Sequence, residues 1–387
     1  MLERLRYSWH IASAVQFAAA AVRRLEQVVS RRPLPLREYR NFLLLQHPLP
    51  LGNAIHATPL IRALHAAIPG ARVEAVASGF ALEILRGNPG LERVIETPSP
   101  LKNFRGAVRA MRQAKPFGGE PYVALQTLGN ERTLVTAAAM LSGGSVRVGH
   151  SVLPELVFAA LSQDHRVSLI ANNLRIVEVL GHGRELLQAL EQDPSLIEPQ
   201  VFPGEDDVAR ARALLVEQGI ALDRPMALFV TQTSPTQRKS WRTERFQAVA
   251  EWLHAKHGMQ LVFVGARSEA AAIEGIRAGL SFPSASLAGR TSLLELSAAM
   301  GFADVALTLD TGPMHLLRAM QVPMAIIAPA WSPPVEWLPL GNPRVRIFKN
   351  ADMDHAPDDY VIDEVQVEEV EAALDELLHL YPVRQRS

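Results

Sequence analysis

The sequence predicts an α/β fold in which two successive strand–helix series each build a mostly parallel sheet. Three observations predict it. The chain has 387 residues of which 48% are hydrophobic, too many for one ordinary core and enough for two domains. From Asn41 onward, short apolar runs alternate with segments of helical period, the pattern of repeated strand–helix units. A stretch rich in proline and acids, residues 193–207, interrupts that series, and the alternation then starts again.

In the first series, apolar runs predict strands at 42–46, 73–77, 93–96 and 122–126, with helices near 54–67, 80–86, 102–114 and 131–141. This series is assigned to a domain of residues 41–205. A helix at 208–218 and the turn Asp223-Arg224-Pro225 lead into the second series. Its strands are predicted at 226–231, 260–264, 284–287, 305–309 and 324–328, and its helices at 243–256, 268–279, 292–300 and 313–320. This second domain is assigned residues 206–350. Residues 351–387 form an acidic segment closed by a helix at 364–380, with Val367, Val370, Leu374 and Leu377 or Leu378 turned inward. No short-period repeat of the solenoid kind is present.

Composition excludes several classes of function. The net charge of -1 lacks the basic excess with which a protein grips nucleic acid phosphates, so no nucleic acid partner is expected. The absence of cysteine removes disulfides, thiolate metal sites and cysteine nucleophiles together, and is compatible with a reducing cytoplasm. Charge is unevenly spread: residues 1–40 carry +5 and residues 351–387 carry -9.

No stretch reaches the roughly 18 apolar residues of a membrane helix, the best being Ile11 to Val22. A basic start followed by a short apolar run can be a secretory leader. Here the pattern continues past the run, with Ile11, Val15, Ala18, Val22, Leu25 and Val29 at helical spacing, so residues 1–40 are read as a basic amphipathic helix and linker. Such a helix in residues 1–32 suits peripheral attachment to an anionic inner-membrane surface. Packing on its own protein or on a partner subunit suits it equally.

Ligands of open parallel sheets sit beyond the carboxyl ends of strands, so the loops there are the candidates for chemistry. The first, from His47 to Pro59, holds Gly52, suited to a tight turn, and Asn53, a helix-capping type that can instead face a ligand. The second, Thr231 to Arg242, supplies the hydroxyls of Thr231 and Thr233 and the cation of Lys239 just before a helix, a grip for a diphosphate. The same composition also suits a solvated loop. The third is Asp310-Thr311-Gly312-Pro313-Met314-His315, where a strand ends and proline opens the next helix. Gly312 allows close backbone approach, Asp310 can accept from sugar hydroxyls, and His315 suits a structural hydrogen bond better than catalysis.

Walker, GxGxxG, HExxH and GxSxG patterns are absent. His254 and His257 have the spacing of a metal pair but no third ligand nearby, and Asp352-x-Asp354 lies in the acidic tail, so no metal site is expected.

Together these loops resemble the bacterial heptosyltransferases, glycosyltransferases that add heptose from ADP-heptose to the lipopolysaccharide inner core. The resemblance covers roughly residues 41–350. Leu51-Gly52-Asn53-x-x-His56-x-Thr58-Pro59 and Pro69-Gly70-Ala71-Arg72-Val73 look like the family's first domain. Lys239-Ser240-Trp241-x-x-Glu244-Arg245-Phe246, Val264-Gly265 with Glu269, Gly289-Arg290-Thr291-Ser292-Leu293 and Asp310-Thr311-Gly312-Pro313-Met314-His315 look like its second. The resemblance implies the GT-B fold, two Rossmann-like domains facing a central cleft. It implies an inverting, metal-independent transfer without cofactor, from ADP-heptose to a lipopolysaccharide-core or similar glycan acceptor. With the absence of cysteine and the basic helix of residues 1–32, a cytoplasmic protein able to sit on the inner face of the inner membrane is expected. In that frame Lys239 neutralises the departing diphosphate and the amides of Thr311 and Gly312 hold phosphate oxygens. Asp310 contacts the donor sugar, Glu269 reaches ribose or base, and Gly52 and Asn53 form the acceptor-side loop.

One departure stands out. The family's first motif carries aspartate after the glycine as the general base, and here that residue is Asn53, whose amide cannot take a proton in this role. Three readings are open: His56, one turn on, serves as base; the acceptor needs only positioning; or the chain is a catalytically weak relative that binds a sugar nucleotide or glycan. A sugar-nucleotide epimerase on the same fold is opposed by the motif order.

Overall fold

A computed structural model describes residues 34–47, 50–143, 146–232, 239–329, 334–349 and 360–383. The amphipathic helix expected in residues 1–32 lies outside the described residues, as does Thr233. The chain divides between Pro199 and Gln200 into two compact units.

The first unit is one parallel six-stranded sheet in the order β3-β2-β1-β4-β5-β6. Its strands are β1 (Asn41–Gln46), β2 (Arg72–Ala77), β3 (Arg93–Glu96), β4 (Val123–Gln126), β5 (Val146–His150) and β6 (Ala159–Leu161). Helices α1 (Leu51–His56), α2 (Thr58–Ala67), α3 (Phe80–Leu85), α4 (Phe104–Ala114) and α5 (Thr133–Leu141) connect them. Then come α6 (Leu169–Val177), a π-helical turn at Glu178–His182 and α7 (Gly183–Gln192). Because helices cover both faces, β1 is buried along its whole length, which is why it reads as a continuous apolar run.

Two differences from expectation have local causes. The single helix expected over 54–67 is two, broken at Ala57. Pro59 has no N–H to offer the Ile55 carbonyl four residues back, and the Thr58 hydroxyl donates to that carbonyl instead at 2.8 Å. The sheet also extends by β5 and β6, unseen in the sequence because Arg147, Gly149 and His150 break the apolar run. Gly149 is required there: at φ 126°, a Cβ would stand 2.2 Å from the Gln126 carbonyl oxygen on the neighbouring strand.

The second unit repeats the plan. Its six-stranded parallel sheet runs β10-β9-β7-β11-β12-β13. The strands are β7 (Met226–Val230), β9 (Gln260–Val264), β10 (Ala285–Ser286), β11 (Val305–Leu309), β12 (Met324–Ile327) and β13 (Val345–Phe348). Its helices are α8 (Glu205–Glu217), α9 (Thr243–His257), α10 (Ala270–Arg277), α11 (Leu293–Met300), α12 (Gly312–Ala319) and α13 (Val367–Leu380). A two-stranded ribbon pairs β8 (Lys239–Ser240) with β14 (Tyr360–Val361). The acidic C-terminal helix is integral to this unit: Val370, Leu374 and Leu377 are fully buried in the core with Phe229, Phe246 and Phe263, and Val367 and Leu378 pack at its margin. Among the described residues no helix is long and apolar enough to cross a membrane.

Candidate active site

Taken in sequence order, both sheets have the strand order 3-2-1-4-5-6, which creates a topological switch point between the first and fourth strands. Loops leaving those strands at their carboxyl ends diverge there and open a ligand crevice. In the first unit the switch lies between β1 and β4, in the second between β7 and β11. Gly52 and Asn53 follow the strand at the first switch point, and Thr231, Asp310, Thr311 and Gly312 follow the strands at the second.

At the first switch point, α1 starts earlier than expected. Its N-cap is Pro50, so Gly52 and Asn53 are its second and third residues rather than a turn and a cap. Asn53 is half-buried and lies over Gly129 in the loop after β4, where a Cβ would meet its Nδ2 at 2.4 Å. Gly129 has φ 84°, so glycine is needed there both for conformation and for room. A buried polar network clamps this loop. Gln46 donates to the Thr127 hydroxyl at 2.6 Å, Asn130 donates to the same oxygen at 3.1 Å, and the His47 amide donates to Asn130 Oδ1 at 3.0 Å. Asn173 on α6 accepts from the Leu128 amide at 2.9 Å and donates to the His56 carbonyl at 3.2 Å, tying the loop after β4 to α1. Gly129, Asn130 and Asn173 were not singled out by sequence reasoning. The only local signal is the run of small and amide residues following the apolar strand.

His56 is placed differently from Asn53. It is 1% exposed, its ring inside the unit, which opposes contact with an acceptor hydroxyl. His47, at the end of β1, is also buried, and burial lowers its pKa to about 4, so the ring is neutral at pH 7. Because the folded value lies below the ordinary 6.5, the unfolded chain takes up the proton first. The His47 contribution to stability is full above pH 6.5 and is lost as pH falls from 6.5 through 4. We expect the unfolding free energy to fall by about 2–3 kcal/mol from this group between pH 7 and pH 4.5. Urea unfolding of wild type and His47→Gln at both pH values tests this: the variant has the shallower acid loss, and identical slopes would remove His47 as the cause.

In the second unit the pairing Val230↔Thr308 brings the ends of β7 and β11 side by side, placing Thr231 and Asp310 at one edge of the sheet. Both are buried, as are Thr311 and His315. Thr311 is the N-cap of α12 and Gly312 its first residue, so the amides opening this helix lie at the carboxyl end of β11. His315 sits one turn in, its ring 6.1 Å from that of Trp337. Glu269 lies at the same sheet edge, beyond β9, but its carboxylate accepts from the Ala266 amide at 2.7 Å and so closes the turn that starts the next helix.

Lys239 is held by its backbone in β8, paired with Tyr360 of β14. Around that ribbon, the Trp241 indole donates to the Val365 carbonyl at 3.1 Å, the Ile362 amide donates to the Ser240 carbonyl at 2.8 Å, and Arg242 pairs with Asp363. The C-terminal segment therefore fixes the strand that carries Lys239. The two histidines of metal-pair spacing part company: the His254 ring stacks on Phe282 at 3.9 Å, whereas His257 faces Asp375 at 3.1 Å.

Two parallel sheets of this strand order, each with ligand-type residues at its switch point, define the GT-B class of glycosyltransferase fold. Residues 179–360 match the model of glycosyltransferase family 9 (heptosyltransferase). A lipopolysaccharide heptosyltransferase 3 of Escherichia coli is 21% identical over 313 residues, 77% of this chain and 86% of that protein. The lipopolysaccharide core heptosyltransferase OpsX of Haemophilus influenzae is 29% identical over 117 residues, 30% of this chain and only 33% of the relative's length. Among solved structures, a family 9 glycosyltransferase of Veillonella parvula superposes with a TM-score of 0.75 at 18% identity, covering 91% of this chain and 100% of that one. The ADP-heptose lipopolysaccharide heptosyltransferase II of E. coli superposes with a TM-score of 0.69 at 19% identity, covering 87% and 98%. The chain is thus similar to glycosyltransferase family 9, the heptosyltransferases, whose family model matches just under half of it.

Proposed function

We propose that the chain transfers heptose, or a related sugar, from ADP-heptose to a lipopolysaccharide-core or similar glycan acceptor, with inversion and without a metal, at the cytoplasmic face of the inner membrane. The observation that carries this reading is the gathering of Thr231, Asp310, Thr311 and Gly312 at the second sheet's switch point, with Lys239 on the β8–β14 ribbon of the same unit. A nucleoside diphosphate presents acceptor oxygens and negative charge, which first-turn amides and a lysine suit. In the reaction an acceptor hydroxyl oxygen bonds to the anomeric carbon as the sugar–phosphate C–O bond breaks. The electron pair leaves with the diphosphate, whose charge Lys239 and the α12 amides stabilise, and the hydroxyl proton is released on the acceptor side. Asp310 binds the donor sugar, Glu269 sits near ribose or base, and Gly52 and Asn53 line the acceptor side. Donor specificity is supported by a relative described as an ADP-heptose transferase.

The test is release of nucleoside diphosphate from ADP-heptose, ADP-glucose and UDP-sugars, each with and without a truncated lipopolysaccharide. Acceptor-dependent release of ADP from ADP-heptose is expected. Release without acceptor, or tight donor binding with no turnover, overturns the transferase reading.

A further inference from the structure

A second surface of the first unit has a composition that sugar transfer does not use. Residues 97–119 hold five cations, Lys102, Arg105, Arg109, Arg112 and Lys115, and no acid. Helix α4 turns Ala107 and Met111 into the core, so the spacing leaves Arg105, Arg109 and Arg112 on its outer side, all exposed. Nearby Arg72 and Arg93 are paired with Glu92 and Glu74, whereas Lys102, Arg105, Arg109 and Lys115 form no ion pair among the described residues. Arg112 donates to the Leu141 carbonyl at 2.7 Å and closes α4 onto the end of α5.

Helix α5 supplies the apolar half of the surface. It carries no charged residue from Thr133 to Leu141, and its outer positions Leu134 and Leu141 are 42% and 43% exposed, two turns apart on one face. A surface helix of a soluble domain ordinarily turns polar residues outward, and this one does not. Between the helices runs a groove of about 600 Å³ lined by Phe104, Val108 and Leu141 on its apolar side and by Arg105, Arg109 and Lys115 on its basic side. Cations beside exposed leucines and a phenylalanine, with no acids, are the chemistry of an anionic bilayer surface: the arginines reach lipid phosphates while the apolar side chains enter the headgroup–acyl boundary. A nucleic acid or soluble phosphoanion would leave the leucines without a role.

We propose that the α4–α5 face of the first unit docks on the headgroup layer of an anionic phospholipid bilayer. This inference does not rest on the sugar-transfer reading, and vesicle binding can hold whether or not any sugar is transferred. The experiment is sedimentation of the full chain with phosphatidylglycerol–phosphatidylethanolamine vesicles and with neutral phosphatidylcholine vesicles. Arg105→Gln/Arg109→Gln/Lys115→Gln and Leu134→Ser/Leu141→Ser are compared with wild type, Arg112 being kept because it holds α4 to α5. Circular dichroism melts establish that each variant is folded. At about fivefold per cation near the surface, the triple variant binds anionic vesicles about a hundredfold more weakly, and the leucine pair also weakens binding. Wild-type affinity in the folded triple variant assigns attachment to residues 1–32 and overturns the proposal. Equal binding to neutral vesicles overturns it, as does inorganic phosphate abolishing binding while the leucine variant behaves as wild type.

Discussion

The Asn53→Asp variant transfers sugar about 10²–10⁴ times faster than the wild type, the range that a positioned general base contributes. Asn53 is half-buried in the first turn of helix α1, which follows β1, and its side chain lies against Gly129, whose lack of a Cβ leaves room for it. Aspartate has the same shape, so the exchange alters charge and basicity without repacking. His56 does not compensate, since its ring is buried, and neutral His47 is buried as well. The measurement is ADP release with saturating donor and acceptor, followed over pH. The variant gains an acid limb from its carboxylate, while donor KM stays near the wild-type value because the donor-side residues are untouched. A rate unchanged by the substitution, with substantial wild-type turnover, would show that the acceptor needs positioning alone.

The fold was legible where burial on both faces wrote itself into composition. β9 and β11, Gln260–Val264 and Val305–Leu309, are buried throughout and apolar except for Gln260 and Thr308, and were bounded correctly to the residue. β5 was not, because Gly149 and His150 answer to neighbouring strands rather than to an apolar period. At the candidate site, Asn53, Asp310 and Thr311 were visible because they follow strands, while Gly129 and Asn173 act through contacts with residues far along the chain that no local pattern records. The same holds for the acidic segment 351–387. Its inward-turned helix was legible from apolar spacing, but the pairing of Asp363 with Arg242 and of β14 with β8 was not. Two-residue strands carry no periodicity, so the partner of the Lys239 strand could not be read from sequence.

That partner gives the second large effect its meaning. Replacing Lys239 with methionine lowers kcat about 10²–10³-fold, the usual loss when one preorganised donor to developing negative charge is removed. The diphosphate becomes a better leaving group only if its new charge is met as the C–O bond breaks. The amides opening α12 are dipoles, whereas the lysine brings a full charge. Position matters as much as charge: β8 is fixed by β14, by the Trp241 indole on the Val365 carbonyl, and by Arg245 donating to the Asp363 carbonyl at 2.9 Å. These contacts use the backbone at 239 and the side chains of its neighbours, so the methionine variant keeps the wild-type melting temperature. Steady-state kinetics with varied ADP-heptose checks the assignment. A fall in kcat with little change in KM marks a lysine that acts on the transition state, and a raised KM at constant kcat would mark one that only binds the ground-state donor. Lys239→Arg, which keeps the charge on a differently shaped head, recovers part of the loss; no recovery together with a lowered melting temperature would reduce Lys239 to a structural residue.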